Sequence, residues 1–237
     1  MSDFIQSSRR TMLQCGLVLG GAIVSAPADA QGILDKAKEV VGLKTEDVTP
    51  PEDLMREHGV LDRVLLIYEA AMHKFLIKED FDPKVITNSA NVIRDFIENY
   101  HEKSEEDFIF PRFRKAGKLL DLIATLKVQH DAGRRVTDVI FKNADESRSN
   151  DEARRQTVAA MQSFITMYRP HAAREDTDLF PQLRKIVSAH EFAAIGEDME
   201  KQEHQKFGVD GFEKVIAQVA GLERGLGIDA LGKFTPA

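Results

Sequence analysis

Apolar residues recur at helical spacing along most of the chain and predict an all-helical protein. Long helical patterns cover residues 52–78, 84–115, 118–144 and 151–185. They are interrupted at Asp82-Pro83, at Gly117 and in the polar stretch 145–150, and no Asn-Gly or Asp-Gly turn joins two alternating strand patterns. Four long helices with short connections are typical of an antiparallel four-helix bundle, which we expect over residues 52–186.

The regions on either side of the predicted bundle are also helical in pattern. Two further patterns, at about 188–207 and 211–225, predict a C-terminal helical extension over residues 187–237 that packs on the bundle. Residues 31–51 are interpreted as a short amphipathic helix and a linker, which ends at Thr49-Pro50-Pro51.

Residues 1–30 have the pattern of a bacterial signal peptide. The pair Arg9-Arg10 precedes an apolar run over residues 12–26, and Ala28-Asp29-Ala30 forms an A-x-A cleavage pattern. The paired arginines favour the twin-arginine route, so we expect an exported or periplasmic protein without stable membrane insertion after cleavage. The alternative is an uncleaved N-terminal anchor, which the short, glycine-rich run disfavours, since a spanning helix needs about 20 apolar residues.

Composition excludes several classes of function. The 237 residues carry a net charge of −7, which disfavours binding to nucleic acid through its phosphates. The chain has no Trp and three Tyr, so an aromatic platform for bases or sugars is not expected. Cys15 is the only cysteine, which excludes an internal disulfide, a cysteine zinc site and an iron–sulfur cluster.

An internal repeat is the most informative feature of the sequence. Residues 101–115 and 171–185 match in type at nine positions without a gap. Each block begins with His-x-x-x-Glu, followed by an acidic residue, and each contains a Phe-Pro pair and ends in Arg-Lys. A weaker echo lies upstream, where His58 and His130 are each followed at the same offset by Arg-Val. His58 precedes its block by 43 residues and His130 by 41, so each half carries one lone His and one His-x-x-x-Glu.

The chemistry of this pattern is that of a metal centre. Residues four apart share a helix face, so the His and Glu of each block can point at one spot in the bundle. Two related halves then offer four imidazoles and two carboxylates, enough for two metal ions with bridging carboxylates. Imidazole and carboxylate without thiolate suit iron or manganese better than zinc. The predicted metal ligands are His58, His101, Glu105, His130, His171 and Glu175.

The neighbouring candidates have simpler interpretations. A single His-x-x-x-Glu is usually a solvated pair, and only its duplication makes a metal site the better hypothesis here. The remaining histidines of the helical region are expected to be surface or helix-end residues: His73, His190 and His204. Three acidic residues next to the ligands are expected on solvated faces or in contacts behind them: Glu102, Glu106 and Asp176. Gly133, one turn from His130, leaves room either for close helix packing, which we favour, or for a diatomic ligand.

The order His, His-x-x-x-Glu, His, His-x-x-x-Glu resembles the hemerythrin-like (HHE cation-binding) domain family over roughly residues 52–186, and specifically its bacterial exported members. The resemblance implies a non-haem di-iron centre, two iron ions joined by an oxo or hydroxo bridge and by carboxylates. By position, the four histidines are terminal ligands, and Glu105 and Glu175 are the bridges.

The sequence departs from the oxygen-carrying hemerythrins at two places. Those proteins have a second His four residues after the third ligand, where this chain has Arg134, and a final His-x-x-x-x-Asp, where this chain has Glu175 at +4. The implied 4His/2Glu set leaves an additional coordination position open, which favours reactivity over simple reversible oxygen binding.

Two functions follow as hypotheses. The first is a di-iron protein that binds a small diatomic ligand, oxygen or nitric oxide. The alternative is a di-iron enzyme that protects against oxidative or nitrosative stress: a peroxidase, a nitric oxide reductase or a ferrous oxidase. A ferritin-like protein is weaker, because it needs two Glu-x-x-His motifs and only Glu98 and His101 form one. A metal-free structural bundle is the fourth hypothesis. The pattern does not identify a redox partner.

Overall fold

The computed structural model describes residues 48–236, and every regular element in that range is helical. Helix α1, Pro50–Ile77, begins at a capping box, in which the backbone N–H of Thr49 donates to the Glu52 carboxylate at 2.8 Å. Pro50 stands at the first helical position, where a residue without an N–H costs nothing. The helix ends at Lys78 in the left-handed conformation, a common way to close an α-helix.

Three further helices complete the bundle. Helix α2 spans residues 84–116, α3 is Leu120–Asn143, and α4 spans residues 151–186. Helices α1 and α3 each contact both α2 and α4, and short connections join consecutive helices, as in an antiparallel four-helix bundle. The predicted fold class is therefore confirmed, and the predicted breaks at Pro83, Gly117 and residues 145–150 separate these helices.

The C-terminal residues add two helices and a short 3₁₀ segment to the bundle. Helix α5 is Ala189–Phe207, α6 is Gly211–Leu226, and the 3₁₀ segment is Leu231–Phe234; another 3₁₀ segment, Asp145–Arg148, lies between α3 and α4. Helix α5 packs on α1 and α4, and α6 packs on α1 and α2. Arg63 of α1 makes a two-pronged pair with Glu223 of α6, with N–O distances of 2.8 and 2.6 Å.

Two apolar clusters fill the interior, and polar residues separate them. On α1, Leu54 belongs to the smaller cluster and Leu61 to the larger one, with the buried His58 between them. On α3, Leu126 and Ile140 flank the buried His130 in the same way. The bundle therefore holds its candidate ligands at a level where apolar layers close the interior above and below.

The predicted signal peptide and residues 31–47, which include most of the predicted N-terminal helix and linker, lie outside the described residues. Among residues 48–236, no helix combines the length and the apolar character that a membrane crossing requires. Gly133 does lie in the described bundle, and the space beside it is taken by the ring of Tyr168. A Cβ at Gly133 would lie 2.0 Å from Tyr168 Oη, so the glycine permits close packing of α3 on α4.

We predict that Gly133→Ala destabilises the metal-free protein by about 1–3 kcal/mol, because the new methyl group displaces Tyr168 from a closely packed position. Gly59→Ala is the matched control, since a Cβ at Gly59 meets nothing within 4 Å. That control should stabilise the protein by up to about 1 kcal/mol through helix propensity. Urea unfolding measures both, and equal stability of the two variants would contradict the packing of Tyr168 on Gly133.

Candidate metal centre

The six predicted ligand side chains lie together in the middle of the bundle, and all are buried. Each of the four bundle helices contributes: α1 carries His58, α2 carries His101 and Glu105, α3 carries His130, and α4 carries His171 and Glu175. The two halves of the repeat therefore face each other across one interior site, as the spacing predicts.

The four imidazoles form two pairs, one in each half of the repeat. His58 Nε2 and His101 Nε2 are 3.0 Å apart, and His130 Nε2 and His171 Nε2 are 3.2 Å apart. Every ring therefore turns its Nε2 atom toward the interior. Two such pairs mark two positions at which a cation would meet imidazole nitrogen.

The two carboxylates lie between the imidazole pairs. Glu105 Oε1 is 3.9 Å from His101 Nε2, and its Oε2 is 3.4 Å from His130 Nε2. Glu175 Oε2 is 3.3 Å from His58 Nε2 and 3.2 Å from His171 Nε2, while its Oε1 is 4.0 Å from His130 Nε2. Both carboxylates thus face both pairs, which is the placement that bridging ligands need.

The donor set fits metal ions on a second ground. All four oxygen atoms of Glu105 and Glu175 are buried and accept no hydrogen bond, although buried carboxylates nearly always do. Burial and the adjacent Glu175 raise the pKa of Glu105 well above its usual range. Two buried carboxylates facing imidazole nitrogens are a costly arrangement without a cation, and bound cations would satisfy these oxygens.

The two positions differ in the number of donors. One group brings four residues within 4.8 Å of one another: His58, His101, Glu105 and Glu175. The other brings three: His130, His171 and Glu175. The second group therefore has one donor residue fewer within that limit, although Glu105 Oε2 also lies 3.4 Å from His130 Nε2.

Each ligand imidazole is held from behind by a hydrogen bond to Nδ1. The acceptors are Asp176 for His58 (2.7 Å), Glu57 for His101 (2.8 Å), Glu106 for His130 (3.1 Å) and Gln129 for His171 (2.9 Å). Carboxylate and amide oxygens can only accept, so Nδ1 carries the hydrogen, and in the neutral ring Nε2 keeps its lone pair for a cation. Such partners fix the ring orientation of metal-binding histidines.

These outer contacts follow the repeat. Asp176 and Glu106 occupy the same place in the two blocks, and each holds the lone histidine of the other half. The two acidic residues were expected on solvated faces or behind the ligands, and the structure places both behind them. Sequence reasoning missed Glu57 and Gln129, although each directly precedes the lone His of its half, which is the signal that the repeat offered.

Burial and neighbouring charges displace the pKa values of these groups in opposite directions. Burial lowers the pKa of His58, but the hydrogen bond to Asp176 and the nearby Glu175 carboxylate outweigh it and raise the pKa to about 9. Burial lowers the pKa of His130 to about 4, although the hydrogen bond to Glu106 acts in the opposite direction. Burial raises the pKa of Glu106, and hydrogen bonds from His130 and Arg134 reverse this and lower it to about 2. Glu106 is therefore a stable anion behind His130.

The Phe-Pro pairs shape the helices beside the ligands. Proline inside a helical pattern commonly ends or kinks the helix, but both helices continue through these pairs, with a five-residue π turn just before each, Glu105–Ile109 and Glu175–Leu179. Proline has no N–H, and each α-helical segment restarts with it in the first turn. Each Phe then stacks on the lone imidazole of the other half, Phe110 on His130 and Phe180 on His58, with centroids 5.6 Å apart.

A polar network continues outward from His130. Arg134 pairs with Glu102 at 2.7 Å and with Glu106 at 3.0 Å, and Tyr168 donates to Glu102 at 2.6 Å. Burial raises the pKa of Glu102 to about 8, although the Arg134 guanidinium opposes the shift. Arg134 stands where the oxygen-carrying hemerythrins have a fifth His. Its guanidinium is therefore paired with carboxylates around the site.

The remaining candidates lie apart from this centre. Among residues 48–236, the groups of His, Asp and Glu that are close enough to share an ion include none of the other three histidines: His73, His190 and His204. Glu98, the acidic residue of the ferritin-type Glu-x-x-His, accepts from Thr137 at 2.6 Å and pairs with Arg94 at 3.0 Å. The ferritin-like arrangement is therefore not the one that these residues adopt.

A helical bundle that directs four imidazoles and two carboxylates at one interior site belongs to the metal-binding bundles. The model of the hemerythrin HHE cation-binding domain matches residues 49–183. Uncharacterized proteins of Mycobacterium tuberculosis and Mycobacterium bovis are 40% identical over 236 residues, covering 97% of this chain and 91% of each relative. No solved structure matches the chain. The chain belongs to the hemerythrin HHE cation-binding family.

We predict that Glu106→Gln weakens metal binding by about 10–100-fold, because the amide holds the His130 ring less firmly than the carboxylate does. Asp107→Asn is the matched control, since Asp107 is exposed on the same turn and pairs only with Lys103 in the described contacts. Competition with a fluorescent chelator, under anaerobic ferrous iron, measures both affinities. Wild-type affinity in Glu106→Gln would show that this hydrogen bond does not position the ligand.

Proposed function

We propose that the protein is a non-haem di-iron protein that binds a small diatomic ligand, oxygen or nitric oxide. The observation that carries the proposal is the pair of carboxylates, Glu105 and Glu175, each facing both imidazole pairs with oxygen atoms that accept no hydrogen bond. Iron accepts this set of nitrogen and oxygen donors and, when bound, supplies redox-active coordination positions. Manganese accepts the same donors and is the competing metal.

The side chains around the centre orient the four imidazole rings and surround them with apolar groups. The Nδ1 hydrogen bonds hold all four rings with Nε2 inward, and the stacked rings of Phe110 and Phe180 cover two of them. A closed apolar surrounding keeps bulk water from competing for the metal ions. The position defined by His130 and His171, with fewer donors, is the one where the diatomic ligand is proposed to bind.

One feature favours the alternative, a di-iron enzyme such as a peroxidase, nitric oxide reductase or ferrous oxidase. Arg134 is engaged with Glu102 and Glu106, so it supplies no ligand where a fifth His would stand. A ferrous site with an open position can turn over peroxide or nitric oxide instead of releasing the ligand unchanged. A protective role against oxidative or nitrosative stress would follow from that chemistry.

We expect His101→Ala and Glu105→Ala each to abolish binding of both iron ions, because the carboxylates couple the two positions. His73→Ala is the matched control and should keep the full metal content, since His73 lies apart from the centre. Metal analysis of protein loaded anaerobically with ferrous iron measures the stoichiometry. Full two-iron loading in a variant that lacks both Glu105 and Glu175 would overturn the bridging assignment.

Admission of oxygen to the ferrous protein separates the two functions. A binding protein is expected to gain a visible absorption band that disappears when oxygen is removed. An oxidising enzyme is expected to pass quickly to a ferric spectrum that does not reverse, and then to react with peroxide or nitric oxide. A spectrum that stays unchanged under oxygen, nitric oxide and peroxide, in protein shown to hold two iron ions, would contradict both.

A further inference from the structure

A cavity of about 700 Å³ lies at one end of the bundle, between the start of α3 and the end of α4. Its walls combine apolar side chains with cationic ones. Three apolar side chains line it, Leu119, Leu122 and Ile186, together with three cationic ones, Lys118, Arg174 and Lys185. We call it the outer cavity.

The outer cavity is far larger than the ligands proposed for the metal centre. A water molecule occupies about 30 Å³ of liquid volume, and a diatomic molecule is of similar size. Pockets for organic ligands typically measure about 300–1,000 Å³. The volume of the outer cavity therefore fits an organic molecule of one or two rings.

The charges around the cavity favour an anion. Arg174 pairs with Asp178 of the cavity wall at 2.8 Å, whereas Lys118 and Lys185 make no ion pair among the described residues. Three cations thus stand against one carboxylate. The ligand that matches this surface has an apolar body and a carboxylate or a similar anionic group.

The outer cavity also adjoins the metal centre. A second cavity of about 350 Å³ shares Leu122 and Arg174 with it and is lined further in by Gln129 and His171. Leu122 and Arg174 therefore lie between the outer cavity and a second space that reaches a predicted ligand.

We propose that the outer cavity binds a small aromatic carboxylate, with its ring against Leu119, Leu122 and Ile186 and its carboxylate at Lys118 and Lys185. This site needs no metal ion, so its test is independent of the di-iron proposal. It gives the protein a second, organic ligand beside the metal centre.

Calorimetric titration of the full chain with 2-naphthoate tests the proposal. The double variant Lys118→Glu/Lys185→Glu should bind the probe at least about tenfold more weakly, since each amine offers a charge-assisted hydrogen bond. Lys115→Glu/Lys142→Glu is the matched control, because it changes net charge equally at exposed lysines that do not line the outer cavity. Equal weakening in both double variants would overturn the proposal, as would a wild-type protein that binds no probe at millimolar concentration.

A second pair of variants tests the apolar wall. Leu122→Trp should intrude into the cavity and weaken binding, whereas Val128→Trp, on an exposed position of the same helix, should leave it unchanged. Circular dichroism checks that both variants fold. Wild-type affinity in folded Leu122→Trp would place the probe elsewhere and overturn the assignment.

Discussion

Two carboxylates, Glu105 and Glu175, lie buried side by side, and the polar interior of the bundle is arranged around them. Their oxygen atoms accept no hydrogen bond, and the inward-facing Nε2 atoms of all four imidazoles lie within 3.9 Å of them. Buried charges of this kind are tolerated when they are paired or coordinate a metal. The apolar layers on either side restrict solvent access and leave cations as the partners that this donor set requires.

The two halves of the repeat depend on each other. Asp176 of the second half holds His58 of the first, and Glu106 of the first half holds His130 of the second. The stacking rings cross in the same way, and so do the carboxylate contacts. Neither half can therefore orient its own lone histidine, and the site forms only when both halves pack together. The symmetry is incomplete at one pair, where His101 has a carboxylate behind it and His171 has the amide of Gln129.

The repeat made the candidate site visible in advance, because matched His-x-x-x-Glu blocks place one His and one Glu on the same face of each helix. The helix breaks at Pro83 and Gly117 were likewise predictable from local backbone preferences. The π turns before Pro111 and Pro181 were not, because a Phe-Pro pair inside a helical pattern is equally compatible with a kink or an end. The hydrogen bonds of Glu57 and Gln129 to the imidazoles were not predicted either, since a polar residue beside a ligand usually faces solvent.

The sequence by itself determined the class of fold, the order of the helices and the six residues of the candidate centre. These follow from periodicity and from a duplication, both of which are recorded along one chain. The tertiary structure alone decided which groups meet across helices: the partner behind each imidazole, the Tyr168 ring over Gly133, and the commitment of Arg134 to Glu102 and Glu106. Such contacts join residues far apart in the chain, and packing of the helices against one another sets them, which no local spacing encodes.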